Sequence, residues 1–187
     1  DDRIKFRPGI SYRHCMVWKN GKGFRTTTPP HDILEKNIEP YLPTGDSSDM
    51  ILSFQKKSFE ILNNHPVNQA RVSRGLLPAN SIWLWGEGKK PTIPSFKDKY
   101  GLNGSVVSAV DLIKGIGLCA GMDSVDVTGA TGNIHTNFIG KAEAALNELR
   151  KGKDFVYVHV EAPDECGHRY EVENKVKSIE YLDNQVV

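Results

Sequence analysis

The chain has 187 residues, room for one domain or two small ones. A net charge of +1 and a pI near 7.9 argue against a nucleic-acid footprint and against an electrostatic membrane anchor. Apolar residues make up 39%, enough for a core, yet no run approaches the roughly 20 residues that cross a bilayer, so neither nucleic acid nor membrane is expected as a partner.

Residues 4–18 read as extended, with β-favouring Phe6, Ile10, Tyr12, Val17 and Trp18 interrupted by Pro8-Gly9. Asn20-Gly21 predicts a tight hairpin turn before a second extended piece near 24–28. Pro40, Pro43 and Gly45 mark a loop. Asp46, Ser47 or Ser48 then caps a helix reaching Asn64, with Ile51, Phe54, Ile61 and Leu62 inward, and His65-Pro66 stops it. A short strand is expected at 81–85. From there strands and helices alternate: strand 106–110, helix 112–120, strand 125–127, helix 138–150, strand 155–160, and a helix from Glu171 to the end. In the last two helices Phe138, Ala142, Ala145 and Leu149, then Val172, Val176, Ile179 and Leu182, form the expected inner stripes.

Such alternation predicts an α/β fold with a partial doubly wound, mainly parallel sheet. The first 80 or so residues have a different style, that of a smaller α+β module. The expected division is therefore 1–80 and 81–187. The chain opens on Asp1-Asp2-Arg3 without Met and stops at Val187 inside a helical pattern, so it reads as a piece cut from a longer protein. No signal peptide is visible. Cys15, Cys119 and Cys166 are too few and too widely spaced for a disulfide framework or a zinc knuckle; reduced thiols in a cytoplasmic protein are expected.

Five patterns could carry chemistry. Asp164-x-x-x-His168 follows a strand, in a loop with Pro163 and Gly167. Asp and His are ligand types for manganese or zinc, and strand ends are where open α/β sheets place their chemistry. The plainer reading is an Asp capping the next helix beside a solvated His. Arg7, Arg13 and His14 flank a stiff turn, and guanidinium forks suit a small anionic substrate, or else simply coat a strand. Arg7 and Arg13 would share a face if the strand were regular. His31-Asp32, after Pro29-Pro30, could orient a substrate group, although Asp32 reads first as a helix cap. Residues 128–133 hold two glycines but lack the phosphate-loop spacing and read as a turn. Lys114 follows the strand at 106–110, where it could reach an anion or stay solvated.

Taken together these segments resemble one family, the archaeal-type cofactor-independent phosphoglycerate mutases of the alkaline phosphatase-like superfamily. The motifs are Phe6-Arg7-Pro8-Gly9-x-Ser11-Tyr12-Arg13-His14, Pro29-Pro30-His31-Asp32-Ile33 and His65-Pro66-Val67-Asn68. They continue through Ala109 to Gly117, Gly129 to Gly132, and His159-Val160-Glu161-Ala162-Pro163-Asp164-Glu165-x-Gly167-His168. The resemblance implies a phosphatase-like core holding two divalent ions, usually manganese, with an inserted substrate lobe covering 1–80. It implies a glycolytic isomerase that exchanges 3- and 2-phosphoglycerate through a phosphoserine. Asp164 and His168 match ligands of one metal. Arg7, Arg13, His14, His31, Asp32 and Lys114 match the side that holds a small phosphorylated carboxylate. The segments that carry the nucleophilic serine and the remaining ligands match nothing in this sequence, so the 187 residues by themselves are expected to bind metal weakly and to be inactive. A phosphatase, a phosphonate-handling or homoserine kinase-like relative, and a binding module without catalysis are the competing readings.

Overall fold

The computed structural model describes residues 2–10, 12–21 and 26–187. They fall into two compact units, Asp1–Ile4 with Trp18–Lys90, and Lys5–Val17 with Pro91–Val187. The segment Lys5–Val17, which carries Arg7, Arg13 and His14, thus clusters with the second half of the chain.

The second unit is built on a parallel sheet. β3 (Gly104–Val107) lies between β4 (Asp123–Val125) and β5 (Phe155–Val158), with Ser105 opposite both Asp123 and Val156. All four residues of β3 are buried, as a central parallel strand requires. α4 (Asp111–Cys119) connects β3 to β4, and α5 (Phe138–Arg150) connects β4 to β5. The α/β class and the parallel order are as the alternation predicted. α4 sits directly on β3: a methyl group added at Gly117 would lie 2.5 Å from Val106 Cγ2. α3 (Phe96–Tyr100), not foreseen, is capped by Ser95, whose hydroxyl accepts from Asp98 N at 3.0 Å, and closes on Gly101 at φ 73.

β5 feeds α6 (Ala162–His168), a helix where a loop was expected. Pro163 in its first turn needs no N–H partner, and Asp164 N and Glu165 N both donate to Glu161 O at 3.0 Å. α7 (Val172–Gln185) packs on α5 and α6. The apolar stripes are corrected in both long helices. α5 buries Phe138, Lys141 and Glu148 while Leu149 is exposed. α7 buries Ser178 and leaves Val172, Val176 and Ile179 exposed. Its inward face also carries Tyr181, which meets Phe138 edge-on at 5.6 Å.

In the extended N-terminal region β1 (Ile4–Arg7) and β2 (Cys15–Trp18) form a two-stranded sheet. Asn20 takes φ 57 and Gly21 N donates to Trp18 O, a tight turn as Asn-Gly predicts. Lys22–Arg25 of the expected second strand lie outside the described residues; Thr26 forms an isolated antiparallel bridge with Thr44. α1 (Ser48–Asn63) starts after Ser47, which adopts φ 67 and caps with no side-chain bond. Ile51 and Gln55 are buried, whereas Ile61 is 60% exposed. Ile61 falls about 80° round the helix from Ile51, and Leu62 within about 20°. His65-Pro66 ends α1 and begins α2 (Pro66–Val72), where His65 Nδ1 accepts from Val67 N.

No strand forms at 81–85. Ile82 N donates to Ser58 Oγ and Trp83 Nε1 to Thr28 O, so these groups find their partners outside any ladder.

Candidate functional site

The carboxyl edge of β5 presents the candidate metal pair. Asp164 and His168 are four apart on α6, so they share one helical face. Asp164 Oδ2 lies 3.5 Å from His168 Nε2, and both side chains are open to solvent, 69% and 58% exposed. Folding a helix rather than a loop here is what brings them side by side. Carboxylate and imidazole suit a divalent cation in kind and spacing. Two donors are only part of a ligand set, and among the described residues no group of three or more His, Cys, Asp or Glu could hold a metal ion. Cys166, between them in sequence, is buried, and burial pushes its thiol up; it is a packing residue.

A neighbouring face of the same helix carries Glu161 at its N-cap and Glu165. Arg13 reaches both, with Nη1 3.5 Å from Glu161 Oε1 and Nη2 3.4 Å from Glu165 Oε1. Arg169 grips the other oxygen of Glu165 at 2.8 Å. Arg13 is presented by a short tie: its N–H donates to Ile10 O, Gly9 N donates to His14 Nδ1 at 3.1 Å, and Ile10 N donates to Asp111 Oδ2 at 3.3 Å. His14 therefore braces this turn. Arg7 ends β1 and is exposed. With β1 ending at Arg7 and β2 beginning at Cys15, the even spacing of Arg7 and Arg13 does not place them on one strand face. Proline has no N–H for a ladder, and the chain breaks at Pro8.

Two buried polar groups, Lys141 and Ser108, escaped the sequence reading. Lys141 of α5 is 1% exposed, with Nζ 3.2 Å from His159 O and 3.5 Å from Thr131 O. Burial draws its ammonium below the usual lysine range, while the negative charge of Glu161 pulls partly back. Ser108, 1% exposed, accepts from Val110 N at 2.9 Å and sits 3.5 Å from His159 Nδ1. Burial holds the His159 imidazole below its ordinary range, while the charge of Glu161 pulls partly back. Ser108 and His159 follow β3 and β5 respectively, at the same edge of the sheet. The available signal for Lys141 was its place three residues after Phe138, on the inward turn of a helix.

The remaining predicted residues are placed as follows. Lys114 donates to Asp126 Oδ1 at 2.6 Å and is largely shielded, so the solvated alternative is corrected. In the first unit His31 and Asp32 lie within a 3-10 turn, Pro30–Ile33, whose N-cap is Pro29; Asp32 caps nothing. His31 Nε2 is 3.8 Å from Asp32 Oδ1 and its ring meets Trp85 edge-on at 5.3 Å. In the second unit, residues 128–133 form a tied turn: Gly129 takes φ 76, and Thr131 N donates to Thr136 Oγ1 at 2.9 Å.

The model of the metalloenzyme superfamily matches residues 42–187. The chain belongs to the metalloenzyme superfamily. Residues 1–68 match a second model, that of 2,3-bisphosphoglycerate-independent phosphoglycerate mutase. A relative from Geobacter sulfurreducens is 52% identical over the whole chain, and one from Methanosarcina barkeri is 50% identical over the whole chain. Both are named 2,3-bisphosphoglycerate-independent phosphoglycerate mutase, the first as a probable one. The chain covers 46% and 47% of their lengths, so it spans about half of the curated relatives it matches. A solved protein of Pyrococcus horikoshii is 32% identical with a TM-score of 0.54, over 74% of this chain and 38% of that one.

Proposed function

We propose that these residues serve a metal-dependent phosphoglycerate mutase that interconverts 3-phosphoglycerate and 2-phosphoglycerate through a phosphoserine. The observation that carries this reading is the Asp164–His168 pair, side by side at the carboxyl edge of a parallel sheet, in a chain whose residues 1–68 match the mutase model. Asp164 and His168 would hold one of two divalent ions, manganese in our reading, with the other donors supplied by sequence outside these residues. Such ions, when bound, stabilise negative charge on transferring phosphoryl oxygens.

The chain's own residues position the substrate. Arg7 would take the glycerate carboxylate as a bidentate partner, Arg13, held by Glu161 and Glu165, would add positive charge beside the substrate, and Lys114, already oriented by Asp126, would meet phosphoryl oxygens. His14 holds the turn that aims Arg13. Ser105, Ser108 and Ser178 are buried, and in this reading the phosphoryl-accepting serine belongs to the half of the relatives' length that these residues do not cover. The setting is cytoplasmic in this reading; among the described residues no helix is long and apolar enough to cross a membrane.

The superfamily model over 42–187 is compatible with phosphate release as well as transfer, which leaves a phosphatase as the second reading. A chimera decides between them, with this chain replacing the matching span of the Methanosarcina barkeri relative. Given 3-phosphoglycerate, the chimera is expected to form 2-phosphoglycerate in an enolase-coupled assay, and the 187-residue chain alone is expected to form none. Free phosphate without 2-phosphoglycerate from a folded chimera would establish the phosphatase instead.

A further inference from the structure

We propose that Glu161 is a positioning residue for the Asp164–His168 pair: seated against Gly132 and gripped by Arg13, its carboxylate sets the rotation of α6 that turns both side chains to one face. This rests on the reading of Asp164 and His168 as metal ligands.

Four observations carry it. First, α6 has only seven residues, too short to hold its own orientation by helix propensity, so tertiary contacts do so: Ala162 and Cys166 are buried on one side, where α7 packs, and the glutamate ties act on another. Second, Glu161 and Glu165 share the four-residue spacing of Asp164 and His168, one step round the helix, and Arg13 spans both glutamates at 3.5 and 3.4 Å. Fixing one face fixes the other. Third, a Cβ at residue 132 would stand 2.8 Å from Glu161 Oε2, so a side chain there would displace the end of this carboxylate from its place. Fourth, the fully buried Lys141 binds His159 O, two residues before Glu161, and its positive charge faces Glu161. A cation is rarely buried without such a partner. No group in this set is a metal ligand, so each acts through α6.

The test is Mn2+ binding by the chimera with the Methanosarcina barkeri relative, which supplies the remaining donors, read by the electron paramagnetic resonance of free Mn2+, with melting followed by circular dichroism. The expected result is Mn2+ uptake that Asp164→Asn removes and that Glu161→Gln weakens about 10-fold, with the melting temperature little changed. Arg13→Met should weaken it similarly, and the double variant no further, because the two act as one unit. If Asp164→Asn abolishes binding while Glu161→Gln leaves it intact, the positioning role is wrong and the ligand reading stands. If Asp164→Asn leaves Mn2+ uptake by the folded chimera unchanged, the ligand reading fails and this inference with it. Should Glu161→Gln unfold the chain, Gly132→Ala decides, since it displaces the carboxylate without removing its charge; undiminished Mn2+ affinity in folded Gly132→Ala overturns the proposal.

Discussion

Glu148 shows how a single buried carboxylate is made affordable inside α5. It accepts from Lys151 Nζ at 2.7 Å and from Ser105 Oγ at 2.7 Å, and these two hydrogen bonds hold its carboxyl below the ordinary carboxylate range. The folded chain therefore releases this proton more readily than the unfolded chain does. The resulting stability is present above the unfolded glutamate value of about 4.3 and is lost as pH falls through the lower folded value. Glu148→Gln should lower the urea stability at pH 7 by about 1–2 kcal/mol. The gap between variant and wild type should close as pH drops below about 4; a gap that widens there would contradict this assignment. At the same scale Asp164 and His168 were legible as a candidate pair from their residue types and spacing, while the helix that sets them side by side appeared only in the fold. Glu161 and Lys141 were not legible in that way. Their roles depend on Gly132, Arg13 and His159, which are distant in sequence and meet only in the fold.

At the scale of elements the deciding feature is close approach. α4 rests on β3 because Gly117 has no side chain to hold it off Val106. Gly117→Ala should push α4 outward or distort Val106, and we expect a loss of about 1–3 kcal/mol in denaturant unfolding. An unchanged or raised midpoint would show that α4 tolerates the shift. The strands β3, β4 and β5 and the helices α4, α5 and α7 were legible within a few residues, since each is a periodic run between turn signals. α3 and α6 were missed because five or seven residues carry too little periodicity to stand out. The expected strand at 81–85 failed for the converse reason: aromatic and β-branched residues favour a sheet only where a partner strand exists.

For the molecule as a whole the second unit leaves apolar side chains uncovered: Leu112, Ile116 and Leu118 of α4 and Val172, Val176 and Ile179 of α7 all stand open. Outward apolar stripes on two helices of one α/β core, in a chain about half the length of its relatives, predict strong binding of a hydrophobic dye at neutral pH. Dye fluorescence no greater than that of a compact monomer of this size would count against exposure of these faces in solution.

Periodicity, turn residues and the Asp-x-x-x-His spacing were enough to specify the α/β class, the parallel order and the candidate ligand pair, since each is a property of neighbouring residues. Which face of α5 and α7 turns inward, which helix Arg13 grips, and where Lys141 is buried were decided only by tertiary structure. Those outcomes depend on what each side chain meets across the fold, and a buried lysine or an outward valine stripe contradicts local hydrophobicity until that partner is known.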